Sequence, residues 1–164
     1  MLMNKTSKSV LSRLLVSRSG EQDRRTPLAI FKELNKEFEF ELDPCTSCSK
    51  QNNLRAPYFF TKEQDGLKQS WGSYRSVFVN PPFRDMSKWV DKILFELEKC
   101  NDELTIVLLT PSKTETRWWH KLLGSKFLSE IRFQKGRVTF EGHKNPFIIG
   151  ITFFILKNKG DVDE

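Results

Sequence analysis

Apolar positions near the start of the chain repeat first at the spacing of a helix and then at that of a strand. Thr26-Pro27 favours a helix start, with threonine as N-cap and proline at the first helical position. Apolar side chains then recur every three or four residues, which predicts a helix over residues 27–37. Residues 38–42 alternate Phe-Glu-Phe-Glu-Leu, a strand pattern that ends at Asp43-Pro44.

The central and C-terminal parts show the same alternation of element types. Residues 104–109 are continuously apolar, as in a strand buried on both faces of a parallel sheet. Helices are predicted over residues 86–99 and 114–123, and strands over residues 76–79, 128–133, 137–140 and 147–156, with 57–60 as the best candidate for one more short strand.

Strands that alternate with helices predict an α/β fold with a mostly parallel sheet and an antiparallel C-terminal end. Two unusual tetrapeptides, Asp43-Pro44-Cys45-Thr46 and Asn80-Pro81-Pro82-Phe83, each follow a predicted strand. If the two strands are parallel neighbours, both tetrapeptides lie at the carboxyl edge, where such sheets bind ligands.

A chain of 164 residues suits one domain, which we expect over residues 23–157 with polar tails at 1–22 and 158–164. The net charge is +6, and residues 1–20 carry Lys5, Lys8, Arg13 and Arg18 without any acid. The rest of the chain is therefore nearly balanced. A basic tail suits a polyanion such as nucleic acid, although a transit peptide or a solvated, disordered tail has a similar composition.

The cysteines and the apolar runs exclude several classes of protein. Three cysteines and no cleavable secretory signal favour a reducing compartment. Cys45-x-x-Cys48 has no second pair, and the two histidines are distant, so no metal site is predicted. No apolar run reaches the roughly 18 residues that span a bilayer.

Asn80-Pro81-Pro82-Phe83 carries the sharpest chemical signal. The nitrogen of an aromatic exocyclic amine is a poor nucleophile because its lone pair is delocalised into the ring. Two acceptors aimed at its hydrogens, the Asn80 side-chain oxygen and the Pro81 carbonyl, would localise that pair and stabilise the developing positive charge. Phe83 offers a face for stacking a flipped base. The structural alternative is a rigid turn that ends a strand.

These residues and others in the same order resemble the small phage-type DNA N6-adenine methyltransferases, whose motif is Asp/Asn-Pro-Pro-aromatic. The resemblance covers roughly residues 23–156. It includes Arg25-Thr26-Pro27, residues 38–43, residues 59–67 with Trp71, residues 79–83, residues 110–120 and residues 136–140.

The resemblance implies a Rossmann-like methyltransferase fold that binds S-adenosylmethionine and acts on a flipped adenine in double-stranded DNA. Asp43, with Pro44 and Cys45, would take the place of the first cofactor motif, its carboxylate holding the methionine ammonium. Thr26-Pro27 would lie beside the methionine end, Asp65 would contact the adenosine, and Asn80 would serve both cofactor and acceptor. The loop after Asp43 lacks the Gly-x-Gly of most methyltransferases, which leaves its geometry unpredicted.

Basic residues after the central strand are candidates for DNA contact. Lys113, Arg117 and His120 share one face if they lie on a single helix, a pattern that fits phosphate contacts or a solvated surface. Trp118 and Arg137 are further candidates for DNA binding.

Two other functional classes remain compatible with these motifs. Asn-Pro-Pro-aromatic also suits methylation of cytosine N4, an RNA base or a glutamine amide, since all present a planar NH2 group. A non-catalytic DNA-binding remnant is the alternative outside enzymes.

Overall fold

The structure, a computed structural model, describes residues 24–46 and 55–159. Within these residues lie three helices, α1 (Leu28–Phe38), α2 (Met86–Lys99) and α3 (Arg117–Leu123), and a 3-10 turn at Phe83–Asp85. The strands of the described residues are β1 (Leu42–Asp43), β2 (Tyr58–Phe59), β3 (Ser76–Val79), β4 (Glu103–Pro111), β5 (Leu128–Phe133) and β6 (Ile151–Lys159). The tail predicted over residues 1–22 lies outside the described residues, and β6 continues to Lys159, two residues into the predicted C-terminal tail.

The six strands form one sheet in the order β2-β1-β3-β4-β6-β5. β2, β1, β3 and β4 are parallel, whereas β6 is antiparallel to both β4 and β5. The predicted α/β fold with an antiparallel C-terminal end is therefore confirmed, and the arrangement is Rossmann-like. Since β1 and β3 are parallel neighbours, Asp43 and Asn80 both lie at the carboxyl edge, as predicted.

The apolar run in β4 packs on both faces of the sheet. Ile106 and Leu108 belong to the core beneath α2 and α3, and Val107 and Leu109 belong to the core beneath α1. Phe154 and Phe153 of β6 divide in the same way. The sheet is thus the middle layer of three, and it provides a rigid base for the loops at its carboxyl edge.

Sequence patterns located several elements accurately. The predicted bounds of β3, α2 and β5 coincide with the observed ones, and residues 57–60 contain β2.

No helix of the described residues combines the length and apolar character needed to cross a bilayer.

The strand predicted over residues 38–42 is wrong for most of its length. Phe38 ends α1, and Glu39 adopts a left-handed conformation with φ 48°. The N–H of Phe40 donates to Asn35 Oδ1 at 2.8 Å, and the rings of Phe38 and Phe40 stack at 5.7 Å. The alternating phenylalanines therefore close the helix and fill the core, and the strand begins only at Leu42.

Two helix starts also differ from the prediction. Thr26 is not the N-cap of α1, which begins after Pro27, and the N–H of Leu28 donates instead to Glu141 Oε1 at 3.1 Å. α3 begins at Arg117 rather than at residue 114, because residues 113–116 form a turn closed by Thr116 Oγ1 donating to the Lys113 carbonyl at 2.8 Å.

Near the C-terminus, the strand predicted over residues 137–140 is irregular backbone. Val138 and Phe140 are nevertheless buried in the core beneath α1, which accounts for their apolar pattern. The last strand begins at Ile151 instead of Phe147.

The connection from β2 to β3 consists of turns and contains no helix. A cluster of buried polar groups holds this connection in place. The indole Nε1 of Trp71 donates to the Gly66 carbonyl at 3.0 Å, and its backbone N–H donates to Glu96 Oε2 at 2.9 Å. Glu96 is 3% exposed and is paired with Lys92 of the same helix. Burial without such partners would be costly for these groups, so the cluster fixes the connection on α2.

Gly66 packs against the backbone of the loop after β1. A Cβ added at Gly66 would lie 1.8 Å from the Pro44 carbonyl oxygen, whereas one added at Gly72 meets its nearest neighbour, Ser70 Oγ, only at 4.0 Å. We expect Gly66→Ala to destabilise the protein by about 1–3 kcal/mol, because the backbone of either loop must move. Gly72→Ala, the matched control, should change stability by no more than about 0.5 kcal/mol. Thermal unfolding of both variants measures the difference, and equal melting temperatures would contradict this packing.

Candidate active site

A cavity of about 440 Å³ opens at the carboxyl ends of β1 and β3. This volume lies within the usual range for small-molecule sites, roughly 300–1,000 Å³. Its wall includes most of the predicted cofactor and catalytic residues, namely Thr26, Asp43, Pro44, Cys45, Asp65, Asn80, Pro81 and Pro82. Pro27 and Phe83 are not part of this wall.

The side-chain amide of Asn80 is held in one orientation. Its Nδ2 donates to the Arg24 carbonyl at 2.6 Å and to Thr26 Oγ1 at 2.9 Å. Both amide hydrogens are therefore used, and Oδ1 is a buried acceptor that no described residue satisfies. A buried acceptor without a partner is rare, because it forfeits its hydrogen bonds to water, and such an atom is suited to receive a ligand's N–H.

Asp43 is a buried carboxylate at the end of β1, 8% exposed. Its Oδ1 accepts the N–H of Cys45 at 3.1 Å. Burial raises the pKa of Asp43 to about 6, against the opposing effects of the Cys45 hydrogen bonds and the charge of Arg55. The ionised carboxylate thus favours a cation, and a ligand ammonium would provide one.

Cys45 links the two strand ends. Its thiol lies close to the Asp43 carboxylate and to the backbone of Asn80, the first residue after β3. Burial and the neighbouring carboxylate raise the pKa of this thiol, so it serves as a neutral hydrogen-bonding group. Cys48, the other half of the Cys-x-x-Cys pair, lies outside the described residues.

The loop after Asp43 contains no glycine, but it packs closely against a glycine from another segment, Gly66. Because Gly66 has no side chain, the Pro44 backbone reaches the turn that carries Asp65. Asp65 adopts φ 54°, and its Oδ1 accepts the N–H of Leu67 at 3.3 Å. Its other oxygen pairs with Lys68 at 3.2 Å.

Sequence patterns did not identify Glu141 or Arg55, which anchor the segment carrying Thr26. Glu141 Oε1 lies 3.0 Å from Arg55 Nη2, and Oε2 lies 3.6 Å from Arg25 Nη1. Arg55 also donates to the Thr26 carbonyl at 2.7 Å. No local motif marks these residues. Glu141, for example, accepts a hydrogen bond from the N–H of Leu28, which lies 113 positions earlier in the chain.

Phe83 lies in an aromatic cluster beside the cavity. Its ring centroid is 6.0 Å from that of Phe140 and 5.5 Å from that of Phe147. The guanidinium of Arg24 lies over the rings of Phe83 and Phe147, at 5.5 and 4.7 Å. A second cavity, of about 330 Å³, opens between Arg24, Phe140 and residues 143–148.

The predicted DNA-binding residues are placed unequally. Arg117 and Arg137 are exposed, and Lys113 is partly exposed in the turn before α3, so Lys113 and Arg117 do not share one helix as predicted. Trp118 is 8% exposed and packs against Trp119 in the core. Its burial leaves little of its surface for contact with DNA.

Two comparisons with known proteins show what this chain is similar to. A family model described as DNA N-6-adenine-methyltransferase (Dam) matches residues 16–152. The chain is also 28% identical, over 81 residues, to a DNA N-6-adenine-methyltransferase of Escherichia phage T1. That alignment covers 49% of this chain and 32% of the phage protein, so the chain matches about a third of its relative's length. Since the family model spans most of the chain, the protein belongs to the DNA N-6-adenine-methyltransferase (Dam) family.

Proposed function

We propose that this protein transfers a methyl group from S-adenosylmethionine to the exocyclic N6 of adenine in DNA. One observation carries the proposal: the amide of Asn80 is fixed by Arg24 and Thr26 so that its oxygen is a buried acceptor without a partner among the described residues. Family membership supports the same acceptor.

The residues of the larger cavity fit S-adenosylmethionine. The buried Asp43 carboxylate, with its raised pKa, is suited to hold the methionine ammonium. Thr26, Pro44 and Cys45 would surround the methionine end, with Pro27 just behind it, and Asp65 on its Gly66 turn would face the adenosine. When bound, the cofactor supplies an electrophilic methyl group on a sulfonium.

Asn80 and Pro81 prepare the acceptor nitrogen. The Asn80 oxygen and the Pro81 carbonyl accept the two N6 hydrogens of adenine, which localises the nitrogen lone pair and stabilises positive charge as it develops. Pro82 keeps the carbonyl before it in place, since its ring restricts the backbone. Each preorganised acceptor of this kind is typically worth about 10²–10³-fold in rate. No general base is required, because the amine becomes acidic as it is methylated.

The DNA would lie across the carboxyl edge of the sheet. Phe83 and its aromatic neighbours would stack against the flipped adenine, a contact worth about 1–3 kcal/mol. Lys113, Arg117 and Arg137 would contact phosphates of the double-stranded DNA and position it. We place this activity in the cytoplasm of a bacterium or a phage-infected host, with a phage or prophage origin.

Truncating Asn80 tests the central assignment. We expect Asn80→Ala to lower kcat by about 10²–10³-fold while cofactor affinity stays within about threefold, because the lost acceptor acts on the transition state. Thr26→Val, which removes one of the two anchors of the amide but keeps its oxygen, should cost an intermediate factor of roughly ten. Single-turnover kinetics and calorimetry provide the two measurements. Near wild-type turnover in Asn80→Ala would refute the assignment.

The raised pKa of Asp43 predicts a linked pH dependence. A ligand ammonium requires the ionised carboxylate, so apparent affinity for S-adenosylmethionine should weaken about tenfold per pH unit below pH 6. Between pH 6.5 and 7.5 the affinity should change little. Asp43→Asn should bind weakly at every pH, and calorimetry from pH 5 to 7.5 measures both proteins. A wild-type affinity that is equal at pH 5 and pH 7 would contradict the ammonium assignment.

The same group predicts the opposite effect on stability without cofactor. The pKa of Asp43 is about 6 in the folded protein and near 3.8 in the unfolded chain, so the folded state binds its proton more tightly. Ionisation therefore costs folding free energy as pH rises from about 4 to 6, up to about 3 kcal/mol above pH 6. Asp43→Asn should melt above the wild type at pH 7.5, and the gap should close towards pH 4. A variant that melts below the wild type at pH 7.5 would contradict this cost.

A further inference from the structure

Ile148 is an exposed apolar side chain beside the catalytic motif. At 82% exposure it is the most exposed large hydrophobic residue of the described chain. It lies in the connection between β5 and β6, residues 134–150, which begins and ends at the carboxyl edge of the sheet. A single exposed isoleucine needs no explanation by itself, so its position has to carry the argument.

The neighbouring residue fixes Ile148 at that position. The N–H of Phe147 donates to the Val138 carbonyl at 2.7 Å, and its ring packs 5.5 Å from that of Phe83. Pro146 precedes it and restricts the backbone further. The chain is thus anchored on the Asn80-Pro81-Pro82-Phe83 segment, and the next side chain projects into solvent.

The surroundings of Ile148 are suited to a polyanion. The connection carries Lys135, Arg137, His143 and Lys144, and its one acid, Glu141, is used by Arg25 and Arg55. No acidic side chain of the described residues pairs with Lys135, Arg137 or Lys144. Ile148 lines the smaller cavity together with Arg24, His143 and Lys144, and an apolar side chain among basic ones matches a nucleic-acid duplex, which offers stacked bases inside a charged backbone.

We propose that Ile148 is a wedge that enters the base stack of duplex DNA and fills the space left by the flipped adenine. The inference rests on the proposed function, since Asn80 can reach N6 only if the base leaves the helix. Flipping exposes the faces of the neighbouring base pairs, and an inserted apolar side chain covers them again. Ile148 would therefore lower the cost of opening a paired site without touching the reacting atoms.

A pair of substrates separates this role from ordinary DNA contact. One is a duplex containing a site that the wild-type protein methylates, and the other is the same duplex with an abasic position opposite the target adenine. We expect Ile148→Ala to lower kcat/KM about tenfold or more on the paired duplex and less than about threefold on the abasic one. Ile148→Leu, which keeps the apolar volume, should restore the paired activity.

Phe95→Ala is the matched control. Phe95 is another exposed apolar side chain, 56% exposed, but it lies nine residues along α2 from Met86, about 13 Å from the site end of that helix. Its truncation should leave both substrates unaffected. Thermal unfolding should be unchanged in Ile148→Ala, because the side chain makes little contact within the protein.

The outcomes distinguish the wedge from the proposed function. Equal losses on the two duplexes, or no loss on either, would overturn the wedge and leave the methyltransferase assignment intact. If the wild-type protein binds S-adenosylmethionine but methylates no site in genomic DNA, so that no such duplex can be chosen, the proposed function fails, and the wedge fails with it.

Discussion

The site depends on the two hydrogen bonds that hold the amide of Asn80. Because the Arg24 carbonyl and Thr26 Oγ1 accept both amide hydrogens, the oxygen has one orientation and no partner among the described residues. The segment that supplies these acceptors is itself held by Glu141, which accepts the first N–H of α1 and pairs with Arg55. An acceptor at the end of β3 is thus oriented by a side chain from the connection between β5 and β6, and the sheet keeps the two at a fixed separation.

Asp43 costs folding free energy when no cation is bound beside its carboxylate. A carboxylate buried at the end of β1 destabilises the folded protein when it ionises, and its raised pKa measures that cost. The same burial makes the carboxylate bind a cation strongly, because little solvent competes. The buried carboxylate therefore lowers the stability of the folded protein and raises its affinity for a cationic ligand, a trade-off that is common at functional sites. The close contact of Gly66 with Pro44 has a related effect, since it fixes the glycine-free loop without help from the ligand.

Local patterns predicted the parts of this fold that local physics determines. The apolar face of α2 determines the bounds of that helix, and the prolines after β3 determine where that strand ends, so both could be predicted from their own segments. The alternation of apolar and acidic residues over 38–42 gave a wrong strand prediction. The same alternation also fits a helix end whose phenylalanines pack on each other. Glu141, Arg55 and the contact of Gly66 with Pro44 could not be predicted, because each depends on chain segments brought together only by folding. The candidate cofactor residues were predicted from a family resemblance, and most of them line one cavity of the structure.

The most direct test of the central claim is mass spectrometry of nucleosides from DNA incubated with the protein and S-adenosylmethionine carrying a deuterated methyl group. If Asn80 presents its oxygen to the N6 amine of adenine, the label appears in N6-methyladenine with the wild-type protein and is lost with Asn80→Ala. Label confined to N4-methylcytosine, or unlabelled DNA from a protein that binds the cofactor, would contradict the account.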